Sequence, residues 1–364
     1  MRNGVICFFA ALIMAAGGSH AWAQGQFVPL GAENTYVTAM SADGMVVVGV
    51  YGSLGPAWRW TPGSGVVNIG SISQTVAVSA DGRTIVGTAN DDRGTGYAAI
   101  WQNGKNWITL PPLLNGRIQD GKTTVGYGVS GDGSVIVGLA YSNPNGVTGF
   151  RYDATSGTVS LGTLTGGRSR ASVISGDGKV IAGWDDLTGR GSGTGFWYGV
   201  IWWDGLQRLM NPFGAIGQVE GINTNGSAIV GRGHPMSPTH AYRFTASDGH
   251  VEDIGALKRD QGGNGIGPGP TDSIEDTAVA LGVSDDGNVV VGTSGYQPPT
   301  DAFIWTPATK IVKLSDYLTS KNITGFEGWT LVTATDVSPD GKIIAGTGLN
   351  NLAGRVEGFV VRLP

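Results

Sequence analysis

The chain has 364 residues, of which 40% are hydrophobic and 63 are glycine, with a single cysteine and a formal net charge of -5. A weakly acidic chain without runs of like charge argues against nucleic acid or an anionic membrane as a partner. Glycine is about 17% of the residues, more than twice its usual share of ~7%. Because these glycines stand between apolar and β-branched runs, they indicate tight turns rather than disorder.

The first 23 residues predict an export signal. Arg2 supplies a basic start, an apolar run follows, and Ala21-Trp22-Ala23 has the small residues of a cleavage site. We therefore expect residues 24–364 to form a single mature domain in the periplasm or outside the cell. The only cysteine lies in the removed segment, and no later stretch approaches the ~20 apolar residues of a membrane span. We expect neither a disulfide nor insertion into a membrane.

A short motif recurs seven times along the mature chain. Each copy has Asp-Gly or Asn-Gly and, after four intervening residues, a second Gly, and successive copies lie 38, 51, 45, 48, 61 and 54 residues apart. A period of this size is typical of one supersecondary unit that stacks on its neighbours. The copies begin at Asp43, Asp81, Asp132, Asp177, Asn225, Asp286 and Asp340.

Each copy predicts four strands. Asp-Gly between an apolar and a β-branched run is a strong hairpin signal, because the turn needs a positive φ that Gly adopts freely. This hairpin joins strands a and b. Strand c follows a variable loop and has two bulky residues on one face, as in Ala57-Trp58-Arg59-Trp60, and strand d resembles Val67-Asn68-Ile69-Gly70.

Seven four-stranded units predict an all-β, seven-bladed β-propeller. The last copy ends at Pro364 without a strand d, whereas Val28-Pro29-Leu30-Gly31 matches the strand d pattern before the first strand a. We expect this N-terminal strand to complete the last blade. Pro29 fits an outermost strand, where a missing N–H can face solvent. An open superhelical array would need caps, which we do not find, and we expect a monomer.

Three stretches of the chain carry a pattern known from one protein family: Leu161 to Gly183, His240-Ala241-Tyr242 and Asp301 to Trp305. In these stretches the chain resembles the HAF-repeat proteins, a family of bacterial extracellular proteins, and the resemblance covers essentially the whole mature chain. Only His240 to Tyr242 approaches the His-Ala-Phe triplet, with Tyr in place of Phe. The turn at 338–346 is similar to that of TolB-type propellers. The resemblance implies export and a repeat fold, and it brings no catalytic residues.

The variable loops are expected to lie on one face of the propeller. In an antiparallel blade the a–b and c–d turns share one face, and the b–c loops and d–a connections share the other. The longest segments, 111–125, 184–198, 255–280 and 315–332, all belong to the second group. Long loops on a rigid scaffold are common binding sites, although variation in tolerated surface loops is the alternative.

Eleven residues of that face are candidate binding residues, each with a simpler structural interpretation. Charged residues of two b–c loops could hold a cation or polar ligand, or supply an acid and a base, and the alternative is solvated loop charge: Asp91, Asp92, Arg93, Asp185, Asp186 and Arg190. Trp197 and Tyr198 could stack on a sugar or belong to the core. Residues at the ends of another b–c loop could bind metal or transfer protons, or simply lie at the surface: Arg232, His234 and His240.

Familiar catalytic signatures such as Gly-x-Ser-x-Gly and His-Glu-x-x-His do not occur. Each repeated Asp offers one carboxylate, far short of the 6 to 8 oxygens that calcium takes, so turn chemistry explains it better. We assign no catalytic residue, metal or cofactor. The favoured interpretation is a binding or scaffold module for a glycan or a protein. A carbohydrate-active hydrolase or lyase is the alternative, and an adhesive surface protein is a third class.

Overall fold

The computed structural model describes residues 25–52, 55–70, 77–102, 104, 106–142, 146–164, 166–186, 197–210, 216–233, 239–257, 277–295 and 300–364. Within these ranges the chain forms 28 β-strands and one short helix. The predicted export signal lies outside them. No helix of the described residues is long and apolar enough to cross a membrane.

The strands form seven four-stranded antiparallel sheets, which are the blades of the predicted propeller. Blade 1 consists of β2 (Thr35–Met40), β3 (Val47–Tyr51), β4 (Ala57–Thr61) and β5 (Gly65–Gly70). Blade 2 consists of β6 (Ala77–Val78), β7 (Thr84–Asn90), β8 (Gly96–Gln102) and β9 (Ile108–Thr109). Blade 3 consists of β10 (Thr124–Val129), β11 (Ile136–Ser142), β12 (Gly146–Asp153) and β13 (Gly157–Gly162). Blades 4 and 5 consist of β14 (Ser169–Ile174), β15 (Val180–Asp185), β16 (Tyr198–Trp203) and β17 (Leu206–Leu209); and β18 (Ile216–Ile222), β19 (Ala228–Gly233), β20 (Ala241–Thr245) and β21 (His250–Gly255). Blades 6 and 7 consist of β22 (Ala278–Val283), β23 (Val290–Ser294), β24 (Asp301–Thr306) and β25 (Lys310–Lys313); and β26 (Trp329–Val337), β27 (Ile343–Asn350), β28 (Arg355–Arg362) and β1 (Gln26–Pro29).

Blade 7 is closed by the N-terminal strand, as the sequence predicts. β1 pairs antiparallel with β28, with Val28 opposite Val360 and Pro29 opposite Phe359. On the other side of β28 lie β27 and β26, so this sheet has the order β1, β28, β27, β26. The two ends of the chain therefore share one blade.

Six of the seven a–b turns share one hydrogen-bonding scheme. In the first, the Ser41 hydroxyl donates to Asp43 at 2.7 Å, the same carboxylate accepts from the Met45 N–H, and the Val46 N–H donates back to Ser41. Gly44 has a φ of +69°, which glycine adopts without cost. The Asp is thus a turn residue, as predicted, and in blade 5 an asparagine side chain accepts the corresponding backbone N–H.

The second glycine of the motif makes room for a carbonyl group of strand a. A Cβ added to Gly138 would lie 2.0 Å from the Val125 oxygen and 2.7 Å from the Phe150 ring. The corresponding oxygen lies 1.9–2.2 Å from that position at the equivalent glycines of blades 1, 4, 5, 6 and 7. Each of these inner strands has a register shift beside it. A bulge in strand a therefore requires the glycine in strand b.

The a–b turns are also linked to one another around the axis. In five blades, the residue that follows the turn Ser or Asn donates its N–H to the a–b turn of the next blade, and these donors are Ala42, Ala80, Gly131, Thr224 and Asp285. Between blades 4 and 5 the donor is Asp177. In blade 7 this position is Pro339, which has no N–H to donate. At that seam Asp336 accepts a hydrogen bond from the Met40 N–H at 2.9 Å, so a carboxylate supplies a contact where the regular link is impossible.

The core lies between blades and is built from the bulky residues of strand c. Trp58, Phe150 and Trp305 are almost fully buried, and the predicted core residue Trp202 donates its indole N–H to the Leu161 carbonyl of the preceding blade. On the opposite face from the a–b turns, the connection at 111–125 pairs with the ends of two b–c loops. The 315–332 connection contains α1 (Leu314–Ser320), which packs on the core beside blades 6 and 7.

Candidate functional site

The inner strands surround a channel of about 610 Å³ on the propeller axis. Hydroxyl groups from several blades line its wall: Tyr36, Thr38, Tyr127, Ser172, Thr333 and Thr335. The ionisable residues among its lining are Arg170, Glu220, Asp285 and Asp336, in addition to the two tyrosines. Most of the wall is therefore uncharged, with apolar and hydroxyl-bearing side chains side by side, and these four ionisable side chains stand out from it.

In every blade whose inner strand is described in full, the bulge in strand a fixes one lining residue of the channel. It lies five positions before the Asp or Asn of the a–b turn, where the register of the strand shifts. The described residues at this position, all of which line the channel, are Thr38, Tyr127, Ser172, Glu220, Leu281 and Thr335. Their chemistry differs from blade to blade, although the backbone that presents them repeats.

Arg170 is held over two aromatic rings at the wall of blade 4. Its guanidinium lies 4.9 Å from the centre of the Tyr127 ring of blade 3 and 5.6 Å from that of Trp184, its partner across the strand pair. Its Nε donates to the Ser172 hydroxyl at 3.1 Å. The Trp184 ring is in turn stacked on Trp197, with centroids 5.1 Å apart. A guanidinium stacked in this way is oriented before any ligand arrives.

Glu220 projects from blade 5 between two arginines. Burial raises the pKa of its carboxyl group, and the charges of Arg170 and Arg232 act in the opposite direction. Arg232 lies on β19, paired with Gln218 two residues before Glu220. Among the described residues, neither arginine comes within 4.0 Å of the Glu220 carboxylate to form an ion pair. The three groups are near neighbours without direct contact.

Asp336 is another acidic residue of the wall, and its surroundings are different. Its two oxygens accept from the Met40 and Val337 N–H groups, at 2.9 and 2.8 Å. Burial raises the pKa of its carboxyl group to about 6, against the effect of these two hydrogen bonds. Because one oxygen accepts from the Met40 N–H of blade 1 and the other from the adjoining N–H of its own strand, this carboxylate is a structural group.

The predicted charged loops fall into two different environments. Asp91 accepts from the N–H groups of Arg93 and Thr95 and so shapes a b–c turn, in which Asp92 and Arg93 are exposed. Asp185 and Asp186 are fully buried. Interpreting them as solvated loop charges therefore does not fit, while Arg190 of the same loop lies outside the described residues.

Asp185 and Asp186 are held by groups of their own blade. The Asp186 carboxylate forms an ion pair with Arg168 at 3.0 Å. One oxygen of Asp185 accepts from the Leu164 N–H at 2.9 Å and from Gln207 at 2.7 Å. Burial raises the pKa of the Asp185 carboxyl group, with Asp186 adding to the shift and these two hydrogen bonds opposing it. These contacts tie the start of the b–c loop to the rest of blade 4.

The remaining candidates are dispersed. Trp197 and Tyr198 are partly buried, Trp197 against Trp184 and Tyr198 opposite Asp185 in the strand pair. His240 lies 3.0 Å from the Asp253 carboxylate in blade 5. His234 lies outside the described residues. Of the candidates that the structure describes, Arg232 is the one whose charge lowers the pKa of Glu220.

Sequence reasoning missed the cluster itself. Tyr127, Arg170 and Glu220 lie in three different repeats and in inner strands, whereas the search concentrated on loops. A signal was present, because Glu220 is a charged residue at a repeat position occupied elsewhere by neutral side chains. Among the described residues, no group of three or more His, Cys, Asp or Glu is placed to hold a metal ion.

No protein-family model matches the chain, and no curated protein matches it. Among solved structures it resembles the β-propeller domain of the Trilobed protease from Pyrococcus furiosus, with a TM-score of 0.55 and 13% identity, covering 90% of this chain and 93% of that one. An oligogalacturonate lyase from Vibrio parahaemolyticus gives a TM-score of 0.53 and 11% identity, covering 93% of each chain. Identities this low show the fold alone, and the chain is a seven-bladed β-propeller.

TolB-type propellers are also among the similar structures. TolB from Acinetobacter baumannii has a TM-score of 0.44 and 14% identity to this chain, of which it covers 76%. The chain spans only 61% of the length of that TolB.

Proposed function

We propose that this chain is an exported binding module of the HAF-repeat type, which holds a glycan in its axial channel. The observation that supports the proposal most strongly is the wall formed by Arg170, Glu220 and the surrounding hydroxyl groups. These groups converge on one space from neighbouring blades, although they are distant in the sequence. The export signal and the monomeric state predicted from the sequence belong to the same proposal.

The dimensions and lining of the channel favour a saccharide over a protein surface. Small-molecule sites are concave and usually enclose about 300–1,000 Å³, a range that includes the 610 Å³ of this channel. A sugar presents many hydroxyl groups, which pair well with the Thr, Ser and Tyr side chains of the wall. Tyr36 also keeps 38% of its surface exposed and offers a ring face for stacking.

The test is a glycan array probed with the purified mature chain, followed by titration calorimetry on the best ligand. Arg170→Ala is expected to weaken binding, because it removes the oriented guanidinium. The matched control is Arg243→Ala: Arg243 also lies 4.9 Å from the centre of a tryptophan ring, that of Trp305, but contacts Glu252 and the Gly287 carbonyl instead of the channel. Equal losses in both variants, or no glycan bound at all, would contradict the proposal.

A hydrolase or lyase that acts on carbohydrate is the second candidate function. It is favoured by the raised pKa of the Glu220 carboxyl group, since general acids of glycosidases are carboxyl groups whose pKa is raised in this way. An oligogalacturonate lyase also has this fold, which is analogy at the level of the fold. Release of reducing ends or unsaturated products by the purified chain, abolished in Glu220→Gln, would establish this function in place of simple binding.

A further inference from the structure

We propose that the ligand of the channel is an amino saccharide, and that its ammonium group binds to the Glu220 carboxylate. This inference rests on the proposed glycan-binding function and specifies the chemistry of the ligand. It depends on three observations about the channel wall: the Glu220 carboxylate has no partner among the described residues, the lining carries more acidic than basic groups, and hydroxyl groups lie at the same level of the channel.

Glu220 presents a carboxylate to the channel that no described residue binds. It is the bulged residue of β18, it is partly buried, and it lines the channel. Among the described residues, none donates a hydrogen bond to its carboxylate or forms an ion pair with it. The other acidic residues of the lining are engaged, since Asp336 accepts two backbone N–H groups and Asp285 accepts one. Polar groups inside a protein are normally paired, so a donor on a ligand would complete the surroundings of Glu220.

The charge of the lining favours a cation. Among the described lining residues, Arg170 is the one basic side chain, and it stands against the carboxyl groups of Glu220, Asp285 and Asp336. The Arg170 guanidinium is also already held by two aromatic rings and a hydroxyl group. A cleft lined mainly by one sign of charge raises the local concentration of ligands of the opposite sign. The channel should therefore attract a positively charged ligand.

The wall suits an ammonium group better than a metal ion. Hard metal cations take several charged or carbonyl oxygens, and among the described residues no group of three or more His, Cys, Asp or Glu is placed to hold a metal. An ammonium group has three N–H donors, which one carboxylate and neutral hydroxyl acceptors can satisfy. Hydroxyl groups occupy the position equivalent to Glu220 in other blades: Ser172 in the neighbouring blade 4, and Tyr127 and Thr335 two blades away on either side.

The same hydroxyl groups indicate that the ammonium is carried by a sugar. A lysine side chain carries its ammonium at the end of a four-carbon apolar stem, which would lie against the hydroxyl groups of the wall. An amino sugar carries hydroxyl groups on the ring carbons beside its ammonium, and these can pair with Ser172 and Tyr127. We therefore favour an amino saccharide over a lysine-containing peptide.

The electrostatics of Glu220 agree with a cationic ligand. Burial raises the pKa of its carboxyl group, and the charges of Arg170 and Arg232 oppose that rise. A bound ammonium group would oppose it further, because a positive charge stabilises the ionised carboxylate. The amide nitrogen of an N-acetylated sugar carries no charge and has no such effect. Comparing the amino sugar with its N-acetylated form therefore isolates the contribution of the charge.

The experiment compares four ligands by titration calorimetry at low salt and weakly acidic pH, where sugar amino groups are protonated: a glucosamine tetrasaccharide, its N-acetylated form, a glucose tetrasaccharide of the same linkage, and tetralysine. N-acetylation keeps the sugar backbone and removes the charge. The glucose tetrasaccharide lacks both substituents and shows whether the acetyl group merely obstructs binding. We expect the amino form to bind about tenfold or more tightly than either uncharged saccharide, a difference of ~1.4 kcal/mol, and more tightly than tetralysine.

Three variants test the assignment to Glu220, and thermal melts show that each is folded. Glu220→Gln removes the charge at nearly constant size, so it should abolish the preference for the amino form and leave binding of the N-acetylated form unchanged. The matched control is Glu252→Gln, which removes a carboxylate that pairs with Arg243 away from the channel and should keep the preference. Arg170→Ala should weaken binding of both saccharides but widen the preference, because it removes a positive charge from the wall that receives the ammonium.

The outcomes separate this inference from the function on which it rests. If an uncharged tetrasaccharide binds the native chain as tightly as the amino form, the ammonium site is wrong while glycan binding stands. If a folded Glu220→Gln variant keeps the full preference, the assignment to Glu220 is wrong. If tetralysine binds more tightly than every saccharide, the amino saccharide is wrong. If none of the saccharides binds, the proposed function itself fails.

Discussion

Phe27 offers a direct test of how the N-terminal strand closes the ring. Its side chain is 94% buried, with 6% of its surface exposed. Its ring centre lies 5.2 Å from those of Phe359 and Trp329 and 5.9 Å from that of Phe326. The outer strand β9 lacks such an anchor, because its Ile108 keeps 54% of its surface exposed. β1 should therefore depend on one side chain more than β9 does.

The expected cost of Phe27→Ala follows from these contacts. Burying a phenylalanine contributes about 2–3 kcal/mol, and aromatic pairs in tilted or stacked geometry add about 1 kcal/mol. The sum, about 3–4 kcal/mol, agrees with the usual cost of truncating a buried phenylalanine. Because β1 is bonded to the last strand of the chain, the loss should also allow the two ends to separate.

Urea unfolding of the mature chain, followed by tryptophan fluorescence, measures the change in free energy. Ile108→Ala is the control, because it truncates an outer strand at an exposed position and should cost less than about 1 kcal/mol. Hydrogen exchange at the Val360 amide, which faces β1, should also accelerate in Phe27→Ala. If Phe27→Ala destabilised the chain no more than Ile108→Ala, the aromatic anchorage of the closing strand would be refuted.

Three further predictions concern the repeat motif and the seam. Gly138→Ala should lower the free energy of unfolding by about 3 kcal/mol or more, since the new Cβ would lie 2.0 Å from a carbonyl oxygen. Gly157→Ala, which has a φ of +68° and open space around it, should cost about 1 kcal/mol. Equal losses of stability in urea unfolding would contradict the steric argument. Hydrogen bonds from the Ser130 hydroxyl and from Ser134 lower the pKa of Asp132. The stability that Asp132 supplies is therefore present above its unfolded pKa of 3.8 and is lost as the pH falls through its folded pKa. Thermal melts at several pH values should show that Asp132→Asn is less sensitive than the native chain to acid below about pH 4. The pKa of Asp336 is raised from 3.8 to about 6, a shift of the opposite sign, so the stability that Asp336 supplies is present below pH 3.8 and is lost, by at most about 3 kcal/mol, as the pH rises through 6. The free energy of unfolding should therefore fall less between pH 4 and pH 7 in Asp336→Asn than in the native chain. A larger fall in the variant would exclude this role.

Much of the fold could be predicted because the repeat is local. The Ser, Asp and first Gly of each turn satisfy one another within six residues, as Ser41 and Asp43 show, so a short motif is enough to locate every hairpin. Closure by Val28 and its neighbours was also predictable, since one strand was missing at the end of the chain and a matching one preceded the first repeat. Bulges in the inner strands were not predicted, because they depend on how the strands pair rather than on residue type.

The site was harder to predict because its residues meet across blades. Arg170 and Glu220 are 50 residues apart in the sequence, and only the order of blades brings their strands together. Asp185 and Asp186 illustrate the opposite difficulty. They resemble the charged start of a loop, but Arg168 and Gln207, which hold them, lie about 20 residues away on either side. Burial of a charge depends on partners that no local pattern identifies.

The bulge and the second glycine together explain how a uniform scaffold can carry a specific site. The glycine in strand b accommodates the displaced carbonyl of strand a, and each described bulge directs one residue into the channel. The type of that residue varies among the described blades, whereas the turn residues repeat. In this chain the position carries Glu220 in one blade and neutral side chains in the other described blades. The five-residue offset from the turn Asp or Asn therefore identifies, from sequence alone, the positions at which a propeller of this motif can alter the chemistry of its channel without changing its fold.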